Sequence, residues 1–140
     1  VTEHWRLMGA LTLLNAEQKE TGNILQNGKR PSGVANLQFN TGTEYDIPVV
    51  RGLTITLNSY YVGQRYASNF ETIDLGSYLR LDAGIRYRWE VGPTRWTARV
   101  NMENLSDEKY YVGGYFFQGF GGNTFYGAPL NANFSLMVEF

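Results

Sequence analysis

Along residues 78–91 apolar and polar side chains alternate without a miss. Leu79, Leu81, Ala83, Ile85, Tyr87, Trp89 and Val91 fall on one side, and Arg80, Asp82, Gly84, Arg86, Arg88 and Glu90 on the other. A period of two is that of a β-strand with two unlike faces. The same alternation predicts a strand over 132–140, where Ala132, Phe134, Leu136, Val138 and Phe140 oppose Asn133, Ser135 and Glu139, with Met137 the apolar exception. It recurs over 34–45 (Ala35, Leu37, Phe39, Tyr45 against Asn36, Gln38, Asn40, Glu44), over 53–65 (Leu53, Ile55, Leu57, Tyr61 against Thr54, Thr56, Asn58, Gln64) and over 96–102. Residues 5–15 are apolar on both sides. Gly9 and Thr12 weigh against a helix there, so a strand is predicted.

Six strands result, and their connections alternate in length. Long polar or glycine-rich stretches follow the first, third and fifth, at 17–33, 66–77 and 106–129. Short breaks follow the second and fourth: 46–52, with Pro48 and Gly52, and the tight turn Gly92-Pro93-Thr94-Arg95. An antiparallel up-and-down meander is the natural product.

Composition narrows the function more than the fold. The 140 residues suffice for one domain and carry a formal charge of −1. No basic field exists to engage phosphates, which argues against a nucleic-acid partner. Cysteine is absent, excluding disulfides and thiolate metal sites. No apolar run reaches the ~18 residues of a membrane helix, and the stretch that opens at Val1 has no basic-then-apolar export signal. Tyr (10), Phe (8) and Gly (16) are abundant while Pro is 4, a bias toward strands and turns.

Periodicity leaves open which face is inside. A soluble barrel, binding a small apolar ligand, puts its apolar face inward; a membrane barrel inverts this. Three features point to inversion. Short turns lie at one rim and long loops at the other. Trp89, Trp96 and Tyr45 lie on the apolar face beside the short turns, where an interfacial aromatic belt belongs. A ten-residue strand rises roughly 33 Å, and a tilt of about 45° leaves roughly 23 Å, close to the apolar band of such barrels. Arg80, Asp82, Arg86, Arg88, Glu90, Arg99, Glu103 and Glu139 would then line the lumen. Membrane barrels begin at about eight strands, so six read as part of a larger one.

Several short motifs sit at these strand boundaries: Gly33-Val34, Tyr61-Val62-Gly63-Gln64-Arg65, Ser77-Tyr78 with Leu81-Asp82-Ala83, Val100 to Asp107 with Tyr110-Tyr111, Tyr126-Gly127-Ala128-Pro129, and the terminal Ser135 to Phe140. Together, and in this order, they resemble the C-terminal part of a TonB-dependent outer-membrane receptor of the siderophore-uptake type. Ala35, Ser106 and Leu130 stand where that pattern has Pro, Phe and Arg. The resemblance implies an all-β, antiparallel transmembrane barrel of about 22 strands, of which residues 1–140 would be the last six. It implies a plug domain and a TonB box outside these residues. It further implies ferric siderophore as transported ligand, with no covalently bound cofactor. The implied partners are outer-membrane lipid, the TonB complex through the missing N-terminal region, and the barrel-assembly machinery, which would read the terminal Phe140. Cobalamin or an oligosaccharide is the alternative cargo on the same scaffold.

Candidate chemistry is sparse. The cluster Tyr115-Phe116-Phe117-Gln118-Gly119-Phe120, with Phe125 and Tyr126, suits stacking on a ligand, or else packing on itself. Tyr115, Phe116, Phe117, Phe120 and Tyr126 are the ligand-binding candidates. Arg80, Asp82, Arg86, Arg88, Arg99 and Glu139 are the candidates for facing the lumen or plug, with Arg86, Arg88 and Arg99 pairing either with the plug or with Glu90 and Glu139. His4 has no second ligand at metal spacing, and Asp82 and Glu103 have neither nucleophile nor His beside them. No catalytic residue and no metal site is expected.

Overall fold

The computed structural model describes residues 3–117 and 119–140. Eight strands form: β1 (Trp5–Leu13), β2 (Leu37–Asp46), β3 (Leu53–Val62), β4 (Tyr78–Val91), β5 (Thr94–Glu103), β6 (Tyr111–Phe117), β7 (Gly121–Tyr126) and β8 (Asn131–Glu139). Six make one antiparallel sheet in the order β1-β2-β3-β4-β5-β8. These are the six predicted from alternation. The other two, β6 and β7, pair as a separate hairpin inside what reads in the sequence as a long loop.

The register carries each face across all six strands. Trp5, Tyr45, Ile55, Ile85, Val100 and Phe134 form one cross-strand row of the apolar face. Arg6, Glu44, Thr56, Gly84, Asn101 and Asn133 form the adjacent row of the polar face. Because side chains alternate strictly, a slip of one residue in any pair would exchange the faces. The short turns hold that register. Gly92, at φ +61°, and Pro93 join Val91 to its partner Thr94, so the turn is two residues long and Thr94 and Arg95 already belong to β5.

Exposure runs opposite to that of a water-soluble sheet. On β3 and β4, the two central strands, Leu57 and Ile85 are 50% and 52% exposed, whereas Thr54 and Asp82 are 4% and 9% exposed. Thr97 on β5 is buried as well. An apolar face of this breadth far exceeds the few hundred Å² a soluble monomer tolerates. Water-facing grease on one side and sheltered polar groups on the other fit a membrane wall and set aside the soluble-barrel alternative. Aromatics gather on the apolar face at the turn end: Tyr87 stacks on Trp89 (ring centroids 5.5 Å apart) and Trp89 on Trp96 (5.9 Å). A second pair, Phe39 and Tyr61 at 5.0 Å, lies at the loop end. Rings at both ends of an apolar band are what two membrane–water interfaces select.

The turn after β2 touches β4. Gly52 sits at φ +84°, and a Cβ there would stand 2.0 Å from the Arg88 carbonyl oxygen, whose own amide donates to the Gly52 carbonyl at 2.9 Å. Gly92 has a similar φ and open space around it. Left-handed backbone alone costs a non-glycine residue ~1–2 kcal/mol; Gly52 adds a backbone collision. Gly52→Ala is therefore expected to lower the temperature at which the protein loses its compact, detergent-resistant gel mobility by clearly more than Gly92→Ala does. Equal shifts would show that the contact with Arg88 is unimportant.

Candidate ligand-binding rim

Three connections leave the sheet at the same end: 14–36, 63–77 and 104–130. The first two are tied together by two residues. The Asn69 carbonyl accepts from Gln18 Nε2 at 2.9 Å, and its side-chain Oδ1 accepts from the Ser32 amide at 2.8 Å. Glu71 accepts from the Arg30 amide at 3.0 Å and from Lys29 Nζ at 3.4 Å, with Arg30 Nε at 3.6 Å. The Gly33 amide donates to the Tyr66 carbonyl at 2.7 Å, and the Arg30 guanidinium lies 5.0 Å over the Tyr66 ring. Beneath these bonds Ala35, Ala67, Ser68 and Leu75 are buried. The Arg30 backbone N–H, helped by Lys29, holds the Glu71 carboxyl below its ordinary range.

The third connection is pinned at its roots. Asn104 is fully buried at φ +56°, a conformation Asn tolerates better than most residues. Its amide donates to Asp82 Oδ1 at 2.9 Å. Its Nδ2 donates to the carbonyls of Glu108 and Ala128, both at 3.0 Å, while its Oδ1 accepts from the Glu108 amide at 2.9 Å. Four hydrogen bonds on one buried side chain and its amide, each worth ~1 kcal/mol net, close the base of the loop. Arg65, also buried, donates to the Tyr111 carbonyl and lies over Tyr78, which stacks on Tyr110 at 4.1 Å.

On this base stands the hairpin of β6 and β7. Tyr115 and Phe117 share one face with Phe125, whose ring lies 6.0 Å from that of Tyr115; Phe117 lies at 5.7 Å. Asn123 Nδ2 donates to the Tyr115 hydroxyl at 3.1 Å. All three rings are exposed, and Phe120, at the tip, is 92% exposed. Phe116 and Tyr126 fall on the opposite face. That face turns toward the β3–β4 connection, since a Cβ at Gly114 would stand 3.1 Å from Ala67 Cβ. Tyr126 stacks on Tyr111 at 4.7 Å, with the two hydroxyls 3.1 Å apart. Of the five ligand-binding candidates, Tyr115 and Phe117 therefore stand together, Phe120 stands above them, and Phe116 and Tyr126 turn away. Gln118 lies outside the described residues. Phe125 completes the exposed face. Such a wall offers broad aromatic surface, with a phenol and an amide to orient what stacks on it.

The polar-face candidates lie on one side of the sheet. Arg80 Nη2 pairs with Asp82 at 2.9 Å, and its guanidinium lies 4.6 Å over the Tyr60 ring. Arg86 donates to Thr54 Oγ1 at 3.2 Å and approaches Glu44 at 3.9 Å. Glu90 and Glu139 both reach Arg95, at 3.6 and 4.0 Å, rather than Arg86, Arg88 or Arg99. Phe140 follows β8 and is fully exposed. Among the described residues no three His, Cys, Asp or Glu side chains gather as metal ligands. Sequence reasoning quoted Arg65 and Asn104 within motifs but gave them no role, and it passed over Asn69 and Glu71. Nothing in a loop's own pattern announces partners tens of residues away.

A one-layer sheet with its apolar face outward, closed at one end by interlocked loops, is a segment of transmembrane β-barrel wall. The chain belongs to the TonB dependent receptor-like, beta-barrel family, whose model matches residues 1–105. It is similar to the ferrichrome receptor FcuA of Yersinia enterocolitica, at 39% identity over 81% of this chain and 16% of the relative. Among solved structures it superposes on the ferric preacinetobactin receptor BauA of Acinetobacter baumannii with a TM-score of 0.77, at 30% identity, covering 98% of this chain and 20% of that one. It superposes equally well on the ferric yersiniabactin uptake receptor FyuA of Yersinia pestis (TM-score 0.77), where 19% identity over 99% of this chain and 22% of that one shows the shared fold alone.

The Glu71 tie makes a direct expectation. A carboxylate whose folded pKa is depressed contributes stability that is present above its unfolded pKa and lost as pH falls through the folded value. Glu71→Gln imitates the protonated state at neutral pH. It is expected to free the segment 27–31, so that trypsin cuts after Lys29 several-fold faster in the intact receptor, with cleavage elsewhere unchanged. An unaltered rate at Lys29 would show that Asn69 and the backbone bonds suffice without the carboxylate.

Proposed function

We propose that this chain is the C-terminal barrel part of an outer-membrane receptor that binds ferric siderophore at its outer rim and imports it with energy supplied through TonB. The observation that carries this reading is the 39% identity to a ferrichrome receptor over 119 residues. The chain spans about a sixth to a fifth of the length of its relatives; in this reading the remaining strands, a plug domain and a TonB contact belong to other parts of the same protein. The apolar face is the lipid contact, and the loop end is the outer one, in keeping with long outer loops and short periplasmic turns. The family's transport role leaves no step in this reading that calls for an enzyme.

Within the rim, Tyr115, Phe117 and Phe125 form the ligand-facing wall, with Phe120 above them. Each ring offers large area at small cost in side-chain entropy, so two or three can hold a chelate whose periphery is flat or apolar. The test is the triple replacement of Tyr115, Phe117 and Phe125 by Ala in the full-length receptor, with ferrichrome as the probe and binding read from tryptophan quenching. A loss of about 1–3 kcal/mol, roughly 5–150-fold in Kd, is expected at unchanged receptor abundance. Unchanged affinity would move the site to other loops. No ferrichrome binding by the unaltered receptor would move the cargo to another chelate, to cobalamin or to an oligosaccharide.

Phe140 has a separate role in this reading, the one that the resemblance of residues 135–140 implies. Phe140 extends the apolar face one step beyond β8 and stands free, as a recognition element for the barrel-assembly machinery would. Deleting Phe140 from the full-length receptor is expected to reduce its folded amount in the outer membrane several-fold at low expression. An unchanged amount would remove the terminal ring from the assembly signal.

A further inference from the structure

The hairpin of β6 and β7 is a two-stranded sheet of its own, paired among the described residues with none of the six wall strands. Two strands alone are marginal in water, so the direction in which this hairpin stands is set at its roots. Asn104 closes the loop beneath it, but its partners Glu108 and Ala128 lie outside the two strands. Arg65 reaches the hairpin itself. Its Nη2 donates to the carbonyl of Tyr111, the first residue of β6. Its guanidinium lies 5.4 Å over the Tyr78 ring, which stacks on Tyr110 at 4.1 Å. Tyr110, also buried, carries the far root. The Gly127 amide donates to the Tyr110 carbonyl at 2.8 Å, and a Cβ at Gly127 would stand 2.1 Å from the Tyr110 ring. Both ends of the hairpin thus rest on one stack. The Arg65 backbone is fixed in turn, since its carbonyl accepts from the Leu75 amide at 2.9 Å.

For mere filling of space, Arg65 is a poor choice. It is 4% exposed, has no carboxylate within 4.0 Å among the described residues, and its Nη1 finds no acceptor. A buried charge without a counter-ion destabilises a fold, and a neutral side chain of similar volume packs at lower cost. What the neutral side chain lacks is a flat cation's double contact: its face stacks on a ring while its edge donates to a carbonyl. We propose that Arg65 is a positioning residue for ligand binding. By holding the Tyr111 carbonyl and the Tyr78–Tyr110 stack together, it sets the angle at which Tyr115, Phe117 and Phe125 meet a chelate. This rests on the reading of those three rings as the ligand-facing wall. Arg65, enclosed beneath the hairpin, acts through them without touching the ligand. A wall already held in its binding pose avoids the ordering cost that a swinging one would meet.

The experiment uses the full-length receptor in lipid nanodiscs, with Arg65→Gln and Tyr78→Leu made singly and Tyr78→Phe as the variant that keeps the ring. Spin labels on Phe120→Cys, at the exposed tip, and Leu13→Cys, at the exposed end of β1, report where the hairpin stands, any other cysteine being replaced. Ferrichrome affinity is read in the same variants without labels. Arg65→Gln and Tyr78→Leu are expected to turn a single distance into a broad distribution and to weaken ferrichrome binding about tenfold; Tyr78→Phe is expected to keep both. In the triple alanine variant of the wall, Arg65→Gln is expected to weaken binding no further, because an arginine that acts through the rings has nothing left to orient. A distance that stays single in both variants, at normal folded mobility, overturns the proposal. So does a loss of affinity that adds in full to that of the triple variant. Should Arg65→Gln fail to fold, Tyr78→Leu tests the same stack with the arginine in place. A broadened distance with unchanged affinity also overturns the proposal where the triple variant has lost affinity. Where the triple variant has lost none, it is the ligand-wall reading that fails, and the role of Arg65 in setting the hairpin stands.

Discussion

A single sheet with no second layer must find its solvent on both faces, and everything else in this chain follows from that. The ladder satisfies the backbone of β2 to β5 from both sides, leaving only side chains to be matched to their surroundings. One face carries Ile55, Ile85, Val100 and Phe134 in a row; the other carries Glu44, Thr56 and Asn101. Water cannot suit both. Hydrocarbon on one side and a wet interior on the other can, provided the sheet closes and its backbone edges vanish. β1 and β8 each pair on one side only, which is the geometry of strands awaiting neighbours.

Among the described residues, the apolar burial lies outside the sheet, under the loops. Ala35, Ala67, Ser68, Leu75, Asn104 and Tyr110 are enclosed there, and all are connection residues. The rim is therefore a small folded structure in its own right, held by Asn69, Glu71, Asn104 and Arg65 through hydrogen bonds more than through apolar contact. Its stiffness gives the aromatic hairpin a fixed base while leaving the hairpin's outer face clear. Polar atoms do this work because the loops stand in water, where an apolar surface large enough to hold them would be a liability.

The six wall strands were legible because a one-layer sheet between unlike solvents enforces a strict period of two, and residues 78–91 show it without interruption. The hairpin was hidden for the same reason. Gly113, Gly114, Gly121 and Gly122 have no side chain to show a face, and Tyr115, Phe116 and Phe117 are aromatic on both. Composition marked that stretch as a place to stack ligands, but only the pairing of β6 with β7 separates Tyr115, Phe117 and Phe125 from Phe116 and Tyr126. The arginines were visible as a polar-face group. That Glu90 and Glu139 would go to Arg95 was not, because four cations, Arg86, Arg88, Arg95 and Arg99, compete for two acids across strands whose stagger the sequence leaves open.

The joint between the first two loops bears on how such receptors change over time. Asn69 and Glu71 on one loop grip Gln18, Lys29, Arg30 and Ser32 on the other, so neither loop's shape is its own property. A recombination event that imports one loop from a related receptor brings half a clasp and strands the matching half. Diversification is then channelled: paired replacements across the two loops keep the rim intact, while a single-loop exchange breaks the clasp even when each loop is sound in its parent.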